Sequence, residues 1–193
     1  TNTFGANKIV LSDFGIAERT YAFNRQAAEI ACAACREFDR PNQPRFVIGS
    51  MGPGTRLPTL GQTTWDTILD SYTEQARGLL DGGVDALLVE TCQDLLQCKS
   101  GLVGALDAMR EKGREVPLFC TVTIETTGTM LLGTEIAAAL TAIEAFDKVV
   151  AIGLNCATGP QEMSEHIRYL SGNSDRFLLV QPNAGLPQLA EEF

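Results

Sequence analysis

The stretch Ala151-Ile152-Gly153-Leu154-Asn155-Cys156-Ala157-Thr158-Gly159-Pro160 decides how the chain is read. An apolar run bounded by turn residues is a buried strand, and this one ends in a polar and a reactive residue, Asn155 and Cys156. Thr158, Gly159 and Pro160 then open a helix. Thr158 or Gly159 suits the cap, and Pro160 suits the first helical position, where a missing N–H has no intrahelical partner to lose. In parallel sheets and barrels with helical crossovers, ligands gather at the carboxyl edge of the strands. Cys156 lies at that edge.

The same unit recurs on both sides of this stretch. Apolar segments at 45–50, 85–90, 118–124 and 177–180 read as strands, and amphipathic or Ala-rich segments at about 16–38, 64–80, 94–112, 134–146 and 160–170 read as helices. Segment 85–90 is almost wholly apolar, as a strand covered on both faces must be. One helix between each pair of strands predicts parallel strands with right-handed crossovers. Residues 1–7 read as the end of a further strand. Pattern alone leaves two architectures open, an open doubly wound sheet and a closed (β/α)₈ barrel, since six strands fall short of a barrel's eight.

At 193 residues, 45% hydrophobic and 20% charged, the chain suits one globular domain spanning 1–193. Its net charge of −9, from 15 basic and 24 acidic residues, argues against a nucleic-acid partner. No apolar run approaches the roughly 20 residues of a membrane span, and no basic-then-apolar leader opens the chain, so the expectation is a cytoplasmic protein away from membranes. Six cysteines are too few for a disulfide scaffold. Cys32, Cys35, Cys98 and Cys120 read as packing thiols on buried faces, and Cys92 reads as the first residue of a helix. His166 reads as a surface residue among Glu162, Glu165 and Arg168.

Four residues are candidates for chemistry. Cys156 is either a solvent-reachable zinc thiolate or a packing residue at a strand end. Glu90 closes an apolar strand, where a carboxylate is costly without a partner; it either caps locally or accepts hydrogen bonds from a ligand ammonium. Asn183 offers a donor and an acceptor to an amino-acid headgroup, or simply makes a turn. Asn155 sits beside the thiol and suits an orienting role.

Gly153-Leu154-Asn155-Cys156-Ala157, Gln181-Pro182-Asn183-Ala184-Gly185, Gly49-Ser50-Met51-Gly52-Pro53, Val89-Glu90-Thr91 and Thr1-Asn2-Thr3-Phe4-Gly5-Ala6-Asn7 together resemble the homocysteine S-methyltransferase family, nearest to its cobalamin-dependent members. The resemblance runs almost end to end. It implies a (β/α)₈ TIM barrel of which this chain carries about strands two to seven, incomplete at both ends. It also implies that Cys156 is one of three zinc ligands, the other two being an adjacent cysteine pair outside these residues, and that Glu90 holds the homocysteine amine, with Asn155 and Asn183 beside the substrate. The activity implied is zinc-dependent activation of the homocysteine thiol for methylation to methionine. Its methyl group would come from methylcobalamin on one module, recharged from folate on another. Betaine or S-methylmethionine is the alternative donor, and a non-catalytic binding fragment the alternative of another class.

Overall fold

Five strands follow the expected alternation in the computed structural model, which describes residues 1–185: β1 (Ile48–Met51), β2 (Ala86–Cys92), β3 (Leu118–Val122), β4 (Val149–Asn155) and β5 (Phe177–Gln181). Every neighbouring pair is parallel, and the order across the sheet is the order along the chain. That order separates the two architectures. A doubly wound sheet reverses direction at a switch point and so loses sequential order, whereas a barrel wall is wound one way throughout. The helices repeat the sequence in their own layer: α2 (Thr20–Phe38) packs on α3 (Trp65–Asp81), α3 on α4 (Leu95–Lys112), α4 on α5 (Ile136–Glu144), and α5 on α6 (Pro160–Asn173). The architecture is a partial (β/α)₈ barrel.

Local chemistry sets where the helices begin and end. The Thr64 side chain accepts the Thr67 N–H at the start of α3, and Asp94 accepts the Leu96 N–H at the start of α4. Pro160 occupies the first turn of α6, and Gly113 closes α4 in the left-handed conformation. Between strands and helices lies a continuous core in which Leu79, Leu87, Val89, Leu102, Leu118, Cys120 and Leu154 have no accessible surface. Burying each large aliphatic contributes about 1.5–3 kcal/mol, and this layer supplies most of the cohesion. No described helix is long and apolar enough to cross a membrane.

Two sequence expectations need correction. Residues 1–7 carry no assigned strand and instead lead into a short helix, α1 (Lys8–Ser12), capped by the Asn7 side chain. The segment nonetheless lies against β1: the Thr1 ammonium donates to the Ile48 carbonyl (2.8 Å), the Ser50 N–H to Thr1 Oγ1 (2.9 Å), and Thr3 Oγ1 to the Ser50 carbonyl (2.6 Å). Hydroxyls take the place of a regular backbone ladder. Cys32 and Cys35 are half-buried, because α2 lies at the rim of the helical layer with only its inner stripe covered.

Gly153 is needed where β4 meets β5. A Cβ there would stand 1.7 Å from the Leu179 carbonyl oxygen, which is backbone and has nowhere to move. The glycine of the Gly-Leu-Asn-Cys motif thus serves strand packing directly and the site indirectly.

Candidate functional site

Strand register brings the polar candidates to one edge. Leu154 pairs with Val122 of β3 and Val180 of β5, and Asn155 with Gln181, so the carboxyl ends of β3, β4 and β5 are nearly level. On β2 the register shifts between Val89 and Cys92, a bulge that contains Glu90 and Thr91. Bulges re-aim side chains, and this one lies beside the candidate residues. Thr91 adopts φ +61°, a left-handed conformation that a β-branched residue avoids at a cost on the order of 1–3 kcal/mol.

Asn155 holds that strained residue in place. Its Oδ1 accepts the Thr91 N–H (3.0 Å) and the Thr121 hydroxyl (2.8 Å), and its Nδ2 donates to Thr91 Oγ1 (2.7 Å). One amide, 3% exposed, therefore ties β2, β3 and β4 together at their ends. Its remaining N–H donates to Cys156 Sγ at 3.3 Å.

Cys156 and Ala157 follow with φ +57° and +58°, two consecutive left-handed residues without a glycine. The Cys156 N–H donates to the Gln181 carbonyl (3.1 Å) and the Thr158 N–H to the Cys156 carbonyl (2.6 Å), so the turn is fixed from both sides. Of the six cysteines only Cys156 is exposed. Asn183 is half-buried, and its N–H donates to the Thr158 carbonyl (3.0 Å), which pins the loop after β5 onto the loop after β4. Glu90 is half-buried, and its Oε1 accepts the hydroxyl of Ser50 on β1. The edge thus carries a reachable thiol, a carboxylate and a polar loop, supported by strain that the surrounding hydrogen bonds maintain.

The family model described as homocysteine S-methyltransferase matches residues 1–193. The chain belongs to the homocysteine S-methyltransferase family. It is 56% identical over 189 residues to a methionine synthase of Mycobacterium tuberculosis and 54% identical to one of Mycobacterium leprae, in each case across 98% of this chain. The chain spans 16% of the length of each of these relatives. Among solved structures it is similar to the homocysteine methyltransferase MmuM from Escherichia coli. The metallated form aligns with a TM-score of 0.79 and 19% identity over 96% of this chain and 66% of that one, and the oxidized form with 0.78. At that identity the likeness concerns the fold, which agrees with the sequential strand order.

In this member of the homocysteine S-methyltransferase family three further thiols meet, on the other face of the sheet. The Sγ atoms of Cys92, Cys98 and Cys120 all lie within 4.8 Å of one another, and Cys98 and Cys120 are 3.4 Å apart. All three are wholly buried. Hydrogen bonds with Cys120 and Cys92 hold the pKa of the Cys98 thiol well below its ordinary value, whereas hydrogen bonds with Cys120 and Cys98, and then burial, push that of Cys92 well up. Cys92 is the last residue of β2, not the start of a helix, because the bulge extends the strand before Leu95 begins α4. A sealed cluster cannot meet a substrate.

The sequence did not point to Thr121 or Ser50, which position Asn155 and Glu90. Thr121 carried a usable signal, a lone hydroxyl in the apolar strand Leu118–Val122. For Ser50 the signal was its place in the Gly49–Pro53 motif, which could be seen but not paired with a partner forty residues away.

Proposed function

We propose that this chain activates the thiol of homocysteine for methylation to methionine, with Cys156 supplying one thiolate to a zinc ion at the mouth of the barrel. The observation that carries the reading is the exposed Cys156, held at the carboxyl end of β4 by a left-handed turn and by the Asn155 amide. Free homocysteine is a thiol of the cysteine kind, with a pKa of about 8.5 or above, so little of its thiolate exists at neutral pH. Zinc, when bound, removes that proton and leaves the sulfur nucleophilic.

The residues present fit one corner of such a site. Cys156 is reachable and its sulfur receives an N–H, as a thiolate ligand should. Among the described residues no other cysteine is exposed, so the reading requires further thiolates from outside 1–185. Glu90, with one oxygen engaged by Ser50, keeps the other to accept the homocysteine ammonium. Asn183 suits the amino-acid carboxylate. Asn155 has spent its amide on Thr91, Thr121 and Cys156, so it orients the sulfur and leaves the substrate to its neighbours.

Methylcobalamin on a separate module is the proposed donor, recharged by a folate module, and residues 1–193 are the proposed homocysteine-binding domain of that larger assembly. Similarity to methionine synthases at 54–56% identity supports this over a betaine or S-methylmethionine donor. A zinc and homocysteine titration of the intact protein tests the proposal. The expected result is zinc-dependent homocysteine binding that Cys156→Ala abolishes; unchanged zinc and homocysteine binding in the variant would reject it and favour a binding fragment without the chemistry.

A further inference from the structure

We propose that Cys92, Cys98 and Cys120, closed by the hydroxyl of Tyr72, form a second and structural zinc site between the sheet and helices α3 and α4. This inference is independent of the chemistry proposed for Cys156, which lies at the mouth and shares none of these side chains.

The geometry of the thiols suits the ion. Four-coordinate zinc with Zn–S of about 2.3 Å places its sulfurs about 3.8 Å apart. Here one pair is at 3.4 Å and all lie within 4.8 Å, so the ideal spacing falls between the observed limits. Small side-chain adjustments bring the three sulfurs to that spacing. The three sulfurs come from β2, α4 and β3, so a bound ion would tie helix α4 to two strands that are already paired with each other.

Tyr72 is the second observation. Its side chain, on α3, is 1% exposed, and its hydroxyl has no hydrogen-bond partner among the described residues. Leaving a buried hydroxyl unpaired costs about 1–3 kcal/mol, and native structures rarely accept that without a reason. The hydroxyl end of the ring is wedged against Gly101 of α4, where a Cβ would stand 3.5 Å from Tyr72 Cζ and 2.7 Å from Val89 Cγ1. That close approach of helix to strand sets the phenol end of the ring against α4, the helix that carries Cys98. Three sulfurs and one oxygen make a closed set of four, the pattern of a structural site with no open position for a substrate.

Charge selects the metal. Three thiolates with a divalent ion leave a net charge of −1, whereas a monovalent thiophilic ion such as copper(I) would leave −2 in a site without water. Cys98 lies in the first turn of α4, where backbone N–H groups present the positive end of the helix dipole to the remaining charge. The phenol oxygen is also a harder donor than copper(I) prefers. Binding releases the three thiol protons to solvent. Because the site is sealed, the ion would enter as the chain folds.

The test uses the intact protein carrying Cys156→Ala, unfolded and refolded under reducing conditions with zinc alone or with cobalt(II) alone, then desalted. Metal analysis should find zinc in this background that falls by about tenfold or more when Cys98→Ala is added. The cobalt(II) form should show the intense visible bands of tetrahedral coordination and sulfur-to-cobalt charge transfer, and Tyr72→Phe should shift those visible bands while the metal stays bound. If Cys98→Ala does not refold, the cobalt(II) spectrum of the Cys156→Ala protein decides alone. A refolded protein without tetrahedral thiolate bands, or zinc content indifferent to Cys98→Ala, would overturn the proposal.

Discussion

Cys156 sits at the end of β4 with its sulfur in reach of solvent, while Cys92, Cys98 and Cys120 meet between β2, β3 and α4 with no accessible surface. The strands involved are neighbours, and the residue type is the same. What differs is the face and the end of the strand. In a barrel wall the pleat sends alternate side chains toward the helices and toward the interior, and only the carboxyl ends carry side chains into the mouth. The bulge at Glu90 and Thr91 sharpens the division by placing Glu90 within reach of Ser50 and Cys92 against the helices. Chemistry is open at the mouth, and the opposite face is limited to packing or to holding a closed ion.

Removing the mouth sulfur should have the largest consequence. Cys156→Ala in the intact protein is expected to lower homocysteine methylation by about 10³-fold or more while leaving the thermal midpoint nearly unchanged, because the side chain is exposed and packs against little. An equal loss from Cys92→Ala, with the fold intact, would break the comparison. Gly153→Ala forces a Cβ onto the Leu179 carbonyl and is expected to cost about 3 kcal/mol or more, read as a fall in urea midpoint.

Asn155→Ala should act on both regions. It orphans the Thr91 N–H and the Thr121 hydroxyl in a buried position, a loss of about 2–3 kcal/mol, and releases the strain at Thr91 and Cys156. Turnover should fall more than zinc affinity, as for a residue that orients a ligand. Glu90→Gln should weaken homocysteine binding by about 10- to 100-fold with zinc retained, the value of a charge-assisted hydrogen bond.

Tyr72→Phe is the smallest expected change in metal-free protein, under about 1 kcal/mol, since it removes a hydroxyl that makes no hydrogen bond. It also carries a pH signature. Burial raises the folded phenol above its ordinary value of 10.0, so the native state keeps the proton that the unfolded chain gives up. The wild type therefore loses stability as pH rises through and above about 10, and the variant should lose it less steeply.

Much of this was legible in the sequence, for reasons that concern distance along the chain. Helix starts at Thr64, Asp94 and Pro160 are written within four residues of where they act. Strand alternation is likewise local, although the choice of a barrel over a doubly wound sheet needed the strand order. Helix α1 escaped because five residues are too short to show a period. The exposed position of Cys156 followed from its place at the end of an apolar run. Its support did not, because Thr91 lies 64 residues from Asn155 and Thr121 lies 34. The thiol cluster was hidden in the same way: Cys98 and Cys120 each looked like a packing residue, and only the packing of α4 on β2 and β3 shows that they meet Cys92.

The most direct measurement is calorimetric titration of homocysteine into the zinc-loaded intact protein, run in buffers of different ionisation enthalpy so that proton release is counted. Wild type should bind homocysteine with release of about one proton, as expected when a thiol becomes a metal-bound thiolate, and Cys156→Ala should show neither. Homocysteine binding with the same affinity and proton release in Cys156→Ala would contradict the account.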